Sequence, residues 1–187
     1  DLDNTSNAYI WGFQFEKNSY ATSYIKNAGT ALGVTRVADT ATDSGNSTVI
    51  NSTEGVLYAE ISALSDDLTQ KSIEISDSST NNFVRIDYKN ATSNTIRGQV
   101  RSGGLITASG STVFSDIKDF HKIAISYKLN DVKLYIDGVL IFTDTSAIMP
   151  VGLDTLAFNE DFYGKTKSLQ VYTTALSDAE LTTLTTI

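Results

Sequence analysis

Apolar and polar residues alternate with a period of two along much of the chain, the pattern of strands buried on one face. Over 9–16 (YIWGFQFE), Tyr9, Trp11, Phe13 and Phe15 fall on one side. Over 56–63 (VLYAEISA), Leu57, Ala59, Ile61 and Ala63 share a side opposite Tyr58 and Glu60. Over 83–88, Val84, Ile86 and Tyr88 alternate with Phe83, Arg85 and Asp87, and over 95–101 Ile96 and Val100 oppose Arg97, Gln99 and Arg101. The strongest patterning lies in 120–143: Ile123, Ile125 and Tyr127 share a face, as do Val132, Leu134 and Ile136. Asp137-Gly138 between two apolar runs predicts a tight hairpin, because a type I′ turn needs positive φ at both central residues. The run 139–142 is apolar on both faces and predicts a fully covered strand. Segments 39–48, 76–82, 89–94 and 101–112 are rich in Ser, Thr, Asn, Asp and Gly and predict loops.

One helix is predicted, starting at Ser177. Ser177-Asp178-Ala179-Glu180 is a capping box, in which the Ser hydroxyl takes a free backbone N–H and Glu180 reaches back to the cap. Leu176 and Leu181 form the matching hydrophobic staple, and Leu184 extends the apolar side, so the helix is expected to dock against a sheet edge.

Composition narrows the functional classes. The chain has 187 residues, no cysteine, a net charge of -8 and a pI near 4.5. That length suits one domain over 1–187, with 1–40 as a lead-in carrying the first strands. An acidic surface argues against a nucleic-acid partner, whose phosphates need a basic one. No apolar run approaches the roughly 18 residues of a membrane helix, so membrane insertion is not expected. Without cysteine there is neither a disulfide nor a thiolate metal site. Opening on Asp1, the chain reads as a piece of something longer.

Two stretches carry a family resemblance. Phe120-His121-Lys122-Ile123-Ala124-Ile125-Ser126-Tyr127, then Val132-Lys133-Leu134-Tyr135-Ile136-Asp137-Gly138-Val139-Leu140, resemble the laminin-G-like pattern W-H-x-V-A-x-x-Y followed by V-x-L-Y-V-D-G-x-L, with Phe120 in place of Trp. The closing signature F-x-G-x-I-D-D/E-V-x-I-Y-x-x-A-L-S-x-x-E-I is similar at Phe162, Gly164, Leu169, Val171, Tyr172, Ala175, Leu176, Ser177, Glu180 and Leu181. The resemblance implies an all-β, two-sheet antiparallel jelly-roll sandwich of the concanavalin A-like type, with one short C-terminal helix. Thr166-Lys167-Ser168 stands where that signature has an apolar residue and two acids. A lysine there argues against the calcium ion that some relatives bind, and no cofactor or metal is expected.

A further segment, WGFQFEKNSYATSYI followed by VTRVAD, resembles one that recurs in bacteriophage virion proteins ahead of such a sandwich. That likeness implies a tail-fibre, spike or head-fibre module at the virion surface, contacting host glycan and other virion subunits, with a homo-oligomer among the expectations. Two other expectations stand beside it: a carbohydrate-binding module of a secreted bacterial polysaccharide-degrading enzyme, and a structural decoration domain.

Catalysis is not expected. Retaining glycosidases need two carboxylates about 5–5.5 Å apart, and no E-x-D-x-x-E or E-x-x-x-E strand occurs. The R-x-E-x-R and Q-x-H strands of alginate-lyase-like sandwiches are missing too. His121, the sole histidine, falls at a strand edge with a structural role expected. For binding, parity puts Arg85, Asp87, Arg97, Gln99 and Arg101 on one polar face, where Arg suits an acidic polysaccharide. Tyr163, beside a glycine and near Asn159, Glu160 and Asp161, is the loop aromatic best suited to stack on a sugar.

Overall fold

The computed structural model describes residues 44–89, 91–159 and 164–187, together with Phe15, Tyr24 and Lys26. The rest of the strand expected over 9–16, most of the lead-in, and Tyr163 with its neighbours Glu160, Asp161 and Phe162 lie outside those residues. Phe15, grouped with Trp11 and Phe13 by the alternation, is 99% exposed. Two compact units divide the chain, Asp1–Asp39 and Thr40–Ile187.

Among the described residues ten strands follow in chain order: β1 (Glu54–Ala63), β2 (Lys71–Ser76), β3 (Phe83–Tyr88), β4 (Thr95–Ser102), β5 (Leu105–Val113), β6 (His121–Lys128), β7 (Val132–Ile136), β8 (Val139–Asp144), β9 (Thr155–Asn159) and β10 (Gly164–Tyr172); helix α1 (Asp178–Thr185) comes last. They form two antiparallel five-stranded sheets, ordered β10-β1-β6-β7-β8 and β5-β4-β3-β2-β9. The first is called the helix-side sheet and the second the arginine-side sheet. All-β sandwich with one C-terminal helix is therefore the observed architecture, as the sequence predicts.

Alternation decides what enters the core. From the helix-side sheet come Leu57, Ala59 and Ile61 of β1, Ile123, Ile125 and Tyr127 of β6, and Leu134 and Ile136 of β7. Ile73, Ile75, Val84, Ile86, Ile96 and Val100 meet them from the arginine-side sheet. Full burial of each such aliphatic chain contributes about 1.5–3 kcal/mol. The hairpin joining β7 to β8 has φ of 51° at Asp137 and 79° at Gly138, as a type I′ turn demands. His121 braces this turn: its Nδ1 lies 2.6 Å from Asp137 Oδ2, while the Lys122 N–H donates to Asp137 Oδ1 at 2.9 Å. The histidine is thus committed to a structural bond.

The helix opens on the predicted capping box, with the Ser177 N–H donating to Glu180 Oε2 at 2.8 Å. Its docking differs from the expectation. Leu181 does not sit at an edge but seats on the outward face of the inner strands, against Val56, Tyr58, Ala124 and Tyr135. Those four alternate with the core residues and form an apolar patch on the outward face, which the helix covers.

Three more expectations are corrected. The run 139–142 is an edge strand, not a covered one: Val139 and Leu140 are 57% and 46% exposed. Most of 101–112, predicted as loop, is the end of β4 and the body of β5. Its inward positions are Ala108 and Gly110, small because a Cβ on Gly110 would fall 2.3 Å from Phe142 of β8. Close approach of the two sheets at this side thus removes the large apolar residues that would have marked the strand. β2 and β9 were not marked as strands by the alternation either.

Candidate functional site

The outward face of the arginine-side sheet is built by the same alternation. On β3, Val84, Ile86 and Tyr88 point to the core, which sends Phe83, Arg85 and Asp87 outward. On β4, Ile96 and Val100 point inward, sending Arg97, Gln99 and Arg101 outward. The two strands pair with Asp87 opposite Arg97, Arg85 opposite Gln99 and Phe83 opposite Arg101. Five of the six residues singled out in the sequence therefore lie side by side on one surface.

Their bonding is more selective than the sequence suggests. Arg97 forms a fork with Asp87, Nε to Oδ1 and Nη2 to Oδ2, both at 2.9 Å. Arg85 donates through Nε to Glu74 Oε2 of β2 at 2.7 Å, and its Nη2 lies 2.6 Å from the same oxygen. The Asp87 side chain is 0% exposed and that of Arg97 15%, so this pair is largely withdrawn from water. Burial pushes the Asp87 carboxyl above its ordinary range, while the hydrogen bonds and charge of Arg97 and the charge of Arg85 pull it back. Gln99 Nε2 donates to Ser109 Oγ of β5 at 3.3 Å.

Arg101 is placed differently. Its Nη1 donates to the Thr80 carbonyl at 2.9 Å, and among the described residues no carboxylate pairs with it. Its Nε is buried without a hydrogen-bond partner. Phe83 supplies an aromatic base for two cations, with Arg85 Cζ 3.9 Å and Arg101 Cζ 5.2 Å from its ring centroid. Around Arg101 the loops are stitched together: Asp77 Oδ2 accepts from Asn82 Nδ2 at 2.8 Å, and Asn82 Oδ1 accepts from the Gly103 N–H at 3.0 Å. The cation is held on a fixed frame.

Glu74 and Phe83 are the residues that complete this surface and that sequence reasoning left unassigned. Their signal was parity, since Glu74 alternates with Ile73 and Ile75 just as Phe83 does with Val84. Both outward carboxylates, Glu74 and Asp87, are bonded to arginine. Among the described residues no three His, Cys, Asp or Glu side chains gather as a metal site. Elsewhere, an open groove of about 450 Å³ lined by Tyr172, Leu176, Ala179, Glu180, Thr183 and Leu184 offers one carboxylate, already used by the helix cap.

No family model and no curated protein matches the sequence. Solved structures do match the fold. The CBM40 module of the Ruminococcus gnavus IT-sialidase is 19% identical, with 74% of this chain and 86% of that chain covered and a TM-score of 0.58. It has also been solved with α2,3-sialyllactose bound. Domain 4 of AbnA, an extracellular GH43 arabinanase from Geobacillus stearothermophilus in complex with arabinotriose, is 15% identical over 73% of this chain and 68% of that chain, with a TM-score of 0.55. The NanB sialidase of Streptococcus pneumoniae is 16% identical, and the match covers 72% of this chain but 24% of the enzyme, with a TM-score of 0.57. What the chain shares with these domains is the fold, an antiparallel two-sheet jelly-roll sandwich.

Proposed function

We propose that the chain is a non-catalytic carbohydrate-binding module that acts outside the cell, attached to or released from a larger protein, and that it takes acidic glycans on the outward face of its arginine-side sheet. The observation that carries this reading is Arg101. Two of the three described guanidiniums on the face are neutralised by buried carboxylates, and Arg101 meets no carboxylate among the described residues while it is held on a braced frame beside a flat aromatic. A sugar carboxylate or sulfate supplies the missing anion, and a planar guanidinium recognises it with directed hydrogen bonds. Arg85, Asp87, Arg97 and Gln99 then shape and stiffen the platform, and Tyr163 remains the loop aromatic proposed to stack on a sugar. Residues 1–40 belong to this reading as the lead-in to one domain.

The neighbours named above favour a glycan-binding module of an extracellular bacterial enzyme. The bacteriophage setting rests on the sequence resemblance of residues 11–39 alone. In both settings the chemistry asked of the sheet is the same.

A glycan array probed with the full chain tests the reading, using sialylated, uronate-containing, sulfated and neutral glycans side by side. Retention of an acidic class is expected, with Arg101→Ala losing about tenfold or more in affinity, the scale of one charge-assisted contact, at an unchanged melting temperature. Retention of neutral glycans alone, or equal binding by Arg101→Ala, would overturn the assignment of the face.

A further inference from the structure

Arg101 has different neighbours on its two sides. Toward β3 it faces Phe83, which is 1% exposed and lies beneath the guanidiniums of Arg85 and Arg101. Phe83 therefore cushions the cations and is not open for a sugar to stack on. The guanidinium itself is partly committed. Its Nη1 is taken by the Thr80 carbonyl and its Nε is buried, so among the described residues Nη2 is the nitrogen left to meet an anion.

Toward β5 the register changes. Val100 pairs with Ala108 but Arg101 pairs with Ile106, which makes Thr107 the extra residue of a β-bulge. Regular pairing would set Thr107 opposite Arg101 and send Ile106 to the other face of the sheet. The bulge instead re-aims Ile106 to the outward face, directly across from the cation. This arrangement is pinned. The Thr107 hydroxyl donates to the Ile148 carbonyl at 2.8 Å, and the Ser102 hydroxyl donates to the Met149 carbonyl at 2.9 Å. Ile106 stays 41% exposed there, so the outward face carries an aliphatic surface open to water beside its available cation.

We infer that Ile106 is a specificity-determining residue, which selects glycans whose carboxylate is borne directly on a sugar-ring carbon over glycans carrying sulfate esters. The inference rests on the function proposed above and names the acid that the same face prefers. A ring-borne carboxylate stands one bond from the ring. Once it meets Arg101, the C–H groups of that ring are held close by, where Ile106 can take them out of water. A sulfate ester sets its charge beyond an additional oxygen, on an arm that rotates, and its ring stands further from Ile106. Arg101 accepts both anions, and the difference between them comes from the aliphatic neighbour.

Isothermal titration calorimetry of the full chain tests this. The probes are oligouronates and sulfated oligosaccharides of matched length, each in galacto and gluco configuration, with methyl-esterified uronates as the neutral control. One of the oligouronates should bind about fivefold or more tightly than its sulfated counterpart, and its ester should bind least. Ile106→Thr keeps the branched β-carbon and the net charge. It should weaken that oligouronate about fivefold, the scale of one aliphatic contact, and leave the sulfated probe unchanged at an unchanged melting temperature. Ile106→Leu should retain the preference, and Arg101→Ala should weaken both acidic probes alike. Sulfated probes bound as tightly as uronates overturn the inference and leave the proposed function standing. So does an Ile106→Thr variant that loses both acids equally or neither. If no acidic probe binds, the proposed function fails and this inference fails with it.

Discussion

The two outward faces of this sandwich are made by the same alternation and end in opposite states. On the helix-side sheet the outward residues beneath the helix are Val56, Tyr58, Ala124 and Tyr135, and the helix covers them through Leu181, with Glu60, Lys122 and Lys133 on the same face around them. On the arginine-side sheet they are Glu74, Phe83, Arg85, Asp87, Arg97, Gln99 and Arg101, and their cohesion is mainly charge paired with charge. An apolar face is stabilised by whatever excludes water from it, and its partners are interchangeable. A polar face withdrawn from water is stable only while every charge keeps its specific partner. Such a face is a poor way to gain stability, and Arg101, which meets no carboxylate among the described residues, is where the proposed function places the ligand.

This contrast makes predictions that can break it. The largest effect belongs to the arginine side: Arg97→Met leaves Asp87 buried and unpaired and should cost about 3–5 kcal/mol in urea unfolding. Adding Asp87→Leu to that variant should restore most of the loss, because no charge is then stranded. A double variant as unstable as the single one would refute the account of this face. On the helix side, Leu181→Ala should cost about 2–4 kcal/mol through the cavity it opens, whereas Leu181→Met, which preserves volume, should cost under about 1.5 kcal/mol. Equal losses from the two would show that shape rather than burial holds the helix.

The smallest effect separates the faces by pH. Hydrogen bonding from Lys133 lowers the Asp178 carboxyl below its ordinary range, and the Ser177 hydroxyl and N–H lower that of Glu180. Groups lowered in the folded state contribute stability that is present above the ordinary carboxyl range, about pH 4, and lost as pH falls through the lowered values. Amides of α1 should therefore lose protection below about pH 4, after correction for the intrinsic exchange rate, before those of β3 and β4 do. Simultaneous loss in hydrogen-exchange measurements would mean that the cap and the Lys133 contact hold nothing on their own.

Local signals were read correctly where they depend on a few neighbouring residues. Asp137-Gly138 specifies its turn through two φ angles, and Ser177 with Glu180 specifies a helix start through two reciprocal bonds. The polar row of β3 and β4 followed from parity, and the partnership of those strands followed from their adjacency. Reading failed where position in the sheet mattered more than pattern. The run 139–142 looked covered because it is apolar on both sides, yet β8 lies at an edge. β5 looked like a loop because its inward residues are small, and they are small because Phe142 occupies the space.

By itself, then, the sequence determined which residues share a face, where the tight turn and the helix start, and that arginines gather on the polar side. These follow from a period of two and from bonds spanning a few residues. Only the tertiary structure decided that Glu74 and Asp87 neutralise Arg85 and Arg97 while Arg101 meets no carboxylate among the described residues, that the helix covers a sheet face, and that β5 ends its sheet. Those outcomes depend on strand order, which sets β1 between β6 and β10 and brings Gly110 onto Phe142. Strand order is fixed by the packing of segments far apart in the chain, and no local pattern encodes it.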